Sequence, residues 1–235
     1  MPESAPLSAL HRLLADYDGQ IRPLADGLDA LSGLPGPRAN LSVVAAFARS
    51  APDEVIEALA HDEREYVRLC AVVGLGRLWA EGQDVEPALR RHAVDARWRV
   101  REGVAMALQL LGERDAAAWR AACVSWAADA PYIARAAIAG ACEPRLLKEP
   151  ASADAALHAC GIATATLRAV PPERRRDDDA RVLRQALGYC WSVAVAAAPE
   201  VGLPQFEALD TDDADIAWVV RENRKKARLQ RVLAR

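Results

Sequence analysis

The chain has 235 residues, 52% of them hydrophobic and 27% charged, enough apolar material for a sizeable core beneath a wetted surface. The net charge is −3 but uneven: residues 221–235 hold seven Arg or Lys and one Glu, a net of +6, which leaves −9 on the preceding 220. A mildly acidic body excludes a general nucleic-acid cradle, and no run of eighteen uncharged apolar residues predicts a membrane span.

Ala, Leu, Arg, Glu and Asp dominate, and period-two runs of Val, Ile and Thr are nearly absent, so the expected class is all-α. Taken in order, residues 4–17 and 21–32 read as two helices parted near Asp18–Gly19. LPGPRAN, Leu34 to Asn40, is a turn set by two prolines around a glycine, and Asn40 caps LSVVAAFARS. Short helices are expected over Asp53–Ala60, Val85–Val94 and Asp115–Ala128, with a stub at Gln205–Leu209. Longer ones are expected over 152–169 and Ala180–Ala198, separated by the charged break Pro171 to Asp179.

Between the short helices one pattern recurs. Asp62, Asp95 and Asp129 lie 33 and 34 residues apart, and Asp215 follows 86 residues later. Six residues after each comes an arginine: Arg68, Arg101, Arg135 and Arg221. Offsets 5, 9, 12 and 13 carry small or apolar residues that share one helical face. Each unit therefore reads as helix A, a short turn with Asp as N-cap or turn residue, then helix B beginning near Arg. On this reading W-x-V-R-E, spelled at Trp98–Glu102 and again at Trp218–Glu222, is the start of helix B in two equivalent units.

The Asp-x5-Arg pairs Asp62/Arg68, Asp95/Arg101, Asp129/Arg135 and Asp215/Arg221 resemble the HEAT-repeat family of α-solenoids. The resemblance covers about 50–147 closely and 200–229 more loosely, with the terminal repeat extended to 235. It implies one domain over 1–235, a right-handed superhelix of five to six antiparallel helix pairs, and Asp–Arg hydrogen bonds between adjacent repeats. It leaves function open, because such solenoids serve many tasks.

The candidate site residues divide into two groups. Trp98, Arg101, Arg135, Trp218 and Arg221 are expected on the concave helix-B face, where a partner protein would dock, while Trp119 and Trp126, seven apart, read as core. Arg224, Lys225, Lys226 and Arg228 lie in a tail read as one solvated helix, with an anionic contact such as nucleic acid as the functional alternative. No catalytic residue, cofactor or metal is nominated: H-x-x-x-H, H-E-x-x-H, G-x-S-x-G and a P-loop are all missing, and Gly74-Leu75-Gly76 falls inside a helix.

The five cysteines are odd in number, lack any C-x-x-C and sit among apolar residues, which reads as buried thiols in a cytoplasmic protein. The Ala and Arg content suggests a GC-rich bacterial genome. Trp218, Arg221 and Glu222 also resemble the W-x-x-R-E near the end of bacterial HEAT-like alkylpurine DNA glycosylases, which implies DNA alkylation repair as the alternative function. The Trp–Asp catalytic pairing of that family has no counterpart, since Trp191 is followed by Ser192, Val193, Ala194 and Val195.

Overall fold

A computed structural model of the chain describes residues 4–36 and 38–234, and every regular element among them is helical. Residues 1–3, Pro37 of the proline turn and Arg235 of the basic tail lie outside the described residues. The helices are α1 (Ala5–Ala15), α2 (Ile21–Ala30), α3 (Leu41–Ser50), α4 (Asp53–Leu59), α5 (Glu65–Ala80), α6 (Glu86–Ala93) and α7 (Trp98–Arg114). They continue with α8 (Ala116–Trp126), α9 (Pro131–Ala141), α10 (Pro150–Ala169), α11 (Asp178–Ala197), α12 (Pro199–Glu207), α13 (Ala214–Arg224) and α14 (Ala227–Leu233). One-turn 3-10 helices precede α10 at Pro144–Leu146 and α11 at Pro172–Arg174.

The chain divides into two compact units, residues 1–110 and 111–235. In the first, α5 packs on α3 and α4, and α1 lies against α2 and α3. Eleven of the sixteen residues of α5 are buried, so it has no polar face and shows little amphipathic period. Its neighbour α7 comes very close. A Cβ at Gly76 would overlap the Ala107 backbone, with the Ala107 Cα and carbonyl carbon both 2.7 Å away. Gly76 is what allows the two helix backbones to touch.

In the second unit α9, α11 and α13 form one layer, with α11 in the middle, and α8 and α10 pack behind it. Trp119, Trp126 and Trp191 are buried here, as the spacing of the first two predicts. The helix α14 closes the unit against α11 and α13. All five cysteines are buried free thiols; four lie in this unit, and Cys142 Sγ is 3.6 Å from Cys160 Sγ. Both units are thus stacks of helix pairs in the all-α solenoid class.

The tail is not one helix. It breaks at Lys225–Lys226, and buried Asn223 shows why. Its amide donates to the Leu187 and Val219 carbonyls, each at 2.8 Å, and its oxygen accepts from the Ser192 N–H at 2.8 Å. That side chain pins the end of α13 to the middle of α11, and the chain then turns. The stub expected at Gln205–Leu209 is a longer helix that begins at Pro199, a residue well suited to a first helical turn.

Candidate interaction faces

The inter-helix turns come first, because they set which side chains face outward. Asp62 is not a helix cap. Its Oδ1 accepts from the Arg64 N–H two residues on, at 2.9 Å, and α5 starts only at Glu65. The Arg64 guanidinium folds back on the same carboxylate through Nε and Nη2, at 2.9 and 2.7 Å. Asp95 repeats this with Arg97: 2.9 Å to the backbone N–H, 2.8 and 2.7 Å to Nε and Nη2. The D-x-R triplet was visible in the sequence at 62–64 and 95–97, but the longer D-x5-R spacing masked it. At Asp129 a proline occupies the third place, and the carboxylate accepts from the Ala130 N–H instead, at 2.7 Å.

The arginines at offset six tie the turns down. Arg68 donates to the Asp62 carbonyl at 2.7 Å and the His61 carbonyl at 3.0 Å, and reaches the carboxylate of Asp95 in the next repeat at 3.1 Å. Arg101 donates to the carbonyls of Asp95 and Ala96, at 2.6 and 3.0 Å. The guanidinium groups of Arg64 and Arg97, and after them Arg68, hold the Asp62 and Asp95 carboxyls below the ordinary carboxylate range. Nearby His92 is buried, and desolvation pushes its pKa down to about 4, with the Arg68 charge adding to the effect.

With Arg101 turned toward the backbone, α7 presents Trp98, Glu102, Met106 and Gln109, spaced for one helix face, to a groove in the first unit. Leu69 of α5 and the Arg38–Ser42 segment form its other wall. The groove has a volume of about 630 Å³. Two of its apolar side chains stand in water: Trp98 is 58% exposed and Leu41 54%. The frame around them is fixed. The Arg99 guanidinium lies 4.5 Å from the centre of the Trp98 ring and pairs with Glu65 at 2.8 Å. The Tyr66 hydroxyl donates to the Asn40 carbonyl at 2.8 Å, and Asn40 caps α3 by accepting from the Val43 N–H.

The other predicted residues lie in the second unit. Arg135 is half-buried on α9. Trp218 is half-buried too. Its ring lies over Gly188, where a Cβ would come within 2.7 Å of it, and the Arg184 guanidinium is 4.9 Å from its centre. The turn residue here is Asp213, which accepts from the N–H groups of Asp215 and Ile216 at 2.9 and 3.3 Å and pairs with Arg175 at 2.6 Å. Counted from the turn, Trp98 is three residues on and Trp218 five. The two W-x-V-R-E strings are therefore not in equivalent positions, and the expected equivalence is corrected. Arg221 and Arg224 are exposed, Lys225 pairs with Glu222 at 2.6 Å, and Lys226 and Arg228 converge on the Tyr189 ring at 5.7 and 4.6 Å.

Among the described residues, no group of three or more His, Cys, Asp or Glu is placed to hold a metal ion, and no helix is long and apolar enough to cross a membrane. Comparison with known proteins finds no match among curated proteins and none among solved structures. A family model described as HEAT repeats does match, over residues 52–143. That span covers α4 to α9 and contains all three of the regularly spaced pairs Asp62/Arg68, Asp95/Arg101 and Asp129/Arg135, so this part of the chain is similar to HEAT repeats.

Proposed function

We propose that the protein is a non-catalytic scaffold that holds an apolar segment of a partner protein in the groove of the first unit. HEAT repeats commonly mediate protein interactions, which sets the class. The observation that carries the finer reading is the exposed Trp98–Leu41 pair on either side of an open, rigidly framed groove. A large aromatic side chain left in water beside an apolar hollow is the usual anchor of a protein interface. The single-domain organisation over 1–235 belongs to the same proposal.

Trp218 supports protein over DNA as the ligand. The glycosylase-like reading needs that indole free to meet a base, whereas here it lies on Gly188 beneath Arg184. The test is a photo-crosslinking side chain placed at Ser42 or Gln109 in cells. Crosslinks to a discrete partner that vanish with Trp98→Ala and Leu41→Glu, and persist with charge reversal at Lys225 and Lys226, support the reading. Crosslinks indifferent to Trp98 and Leu41 refute it. Arg101→Glu is a poor probe, because it breaks the turn at Asp95 rather than the surface.

A further inference from the structure

The second unit carries another hollow, with a different electrical character. At the C-terminal end of α11 a groove of about 400 Å³ is lined by Pro144, Leu147, Val193, Ala196, Ala197 and Arg228. Through Leu147 and Ala197 it continues into a hollow of about 730 Å³ that extends to Val201 and Val232. Val201 is 52% exposed. The floor is apolar along its length, but its ends differ in charge. At one end stands Arg228, which donates to the Tyr189 hydroxyl at 2.8 Å, with Lys226 held against the same ring. The other hollow includes the carboxylates Asp154 and Glu200, beside Lys148.

Two cations gathered on one aromatic ring repel each other, and among the described residues no carboxylate lies within ion-pair distance of either. The nearby acid, Glu222, pairs with Lys225 at 2.6 Å and only feels the Lys226 charge at longer range. Arg228 lines the groove and Lys226 shares its aromatic ring, so positive charge gathers beside the groove and favours an anion there.

We infer that this groove docks an acidic amphipathic peptide segment of a partner protein. Its apolar side chains would fill the floor, and its Asp or Glu residues would meet Lys226 and Arg228. The opposite polarity of the Asp154–Glu200 end fixes the orientation: the segment is acidic at one end and neutral or basic at the other. A nucleic acid fits less well. Tyr189 already carries cations on its ring and is not free to stack a base, and an apolar floor offers phosphates nothing. The inference is independent of the Trp98 groove.

The experiment is selection of random sixteen-residue peptides on a display library against the full chain, followed by fluorescence anisotropy with a synthesised, labelled winner. The expected winners carry apolar residues at i, i+3 and i+4 with acids clustered at one end. Their affinity falls about tenfold or more with the Lys226→Glu/Arg228→Glu double variant, the scale of two lost charge-assisted contacts. It falls comparably with Val201→Glu and is unchanged by Trp98→Ala. Circular dichroism confirms that each variant is folded, and Val201→Glu, on the exposed first turn of α12, serves if the charge reversal disturbs α14. Three results overturn the inference: no enrichment above blank support, winners that bind the double variant equally well, or tighter binding of a 20-base strand with a log–log salt slope of several units. A dimer that dissociates on the same charge reversal in sedimentation would overturn it too, by assigning the groove to a second copy.

Discussion

Trp98 and Trp218 begin the same five-letter string, yet one stands in water and the other lies on a neighbouring helix. The difference is a matter of register. At Asp95 the chain spends three residues on the D-x-R turn, so Trp98 opens α7 and lines the groove. At Asp213 the carboxylate caps α13 directly, so Trp218 is already one turn into the helix and faces α11 across Gly188. What a residue does in a repeat depends on its distance from the turn that starts the helix, and a shared string is a poor guide to that distance.

The sharpest way to break the comparison is through the two glycines that set helix spacing. In α5, Gly76→Ala puts a methyl group into the Ala107 backbone, which cannot rotate away, so α5 and α7 must part. The expected loss is about 3 kcal/mol or more, at or beyond the usual range for overpacking, read as a drop in urea midpoint. In α11, Gly188→Ala meets the rim of the Trp218 ring, which can tilt, and the Glu222 Cβ at 3.3 Å, and about 1 kcal/mol is expected. Equal losses at the two sites would refute the distinction between backbone and side-chain contact.

The turns themselves come next. Asp95→Ala removes the acceptor of the Arg97 backbone and side chain and leaves the part-buried Arg68 without its ion pair. A loss of about 2–3 kcal/mol is expected. Asp213→Ala loses a cap and one partner of Arg175, but Asp215 remains as a second acceptor at 3.3 Å, so about 1–2 kcal/mol is expected. Chemical denaturation of both variants checks the order.

Much of this architecture was legible in the chain. Helix periodicity, the Asn40 cap and the 33-to-34-residue spacing all follow from residues near each other in sequence, and helix pairs are local structures. The core placement of Trp119 and Trp126 follows from their spacing. The direction of Arg101 was not legible, because its partners are backbone carbonyls that any residue supplies. The break in the tail was equally hidden: it depends on Asn223 meeting α11, more than thirty residues away, amid a basic run that reads as continuous helix. The groove needed three helices to be placed side by side before Met106, Leu69 and Leu41 could be seen to share it.

The Asp95 turn has one property that the Asp213 turn lacks, a buried histidine at the end of the preceding helix. The folded pKa of His92, about 4, lies below the ordinary value of 6.5, so the folded state resists the proton that the unfolded chain accepts. Its contribution is complete above pH 6.5 and is lost as the pH falls from there toward 4. By pH 5 the loss is about 2 kcal/mol. The depressed carboxyls of Asp62, Asp95 and Asp213 act lower, below about pH 4, so they do not obscure this window. Urea titrations between pH 7 and 5 are expected to show the slope in the native chain and a flatter line in His92→Leu.

The smallest expected effect is the most informative for function. Trp218→Ala uncovers Gly188 and removes the ring beneath Arg184, for a loss of about 2 kcal/mol. Trp98→Ala removes a ring that is 58% exposed and touched mainly by Arg99, so the change in stability is expected to stay within about 0.5 kcal/mol. A large aromatic residue that contributes almost nothing to folding is available to a partner. If Trp98→Ala instead costs as much as Trp218→Ala, the indole is a structural part of the first unit, and the groove loses its anchor. If the stability cost is negligible while crosslinking from Ser42 or Gln109 disappears, the two tryptophans separate cleanly: Trp218 holds the helices together, and Trp98 holds the partner.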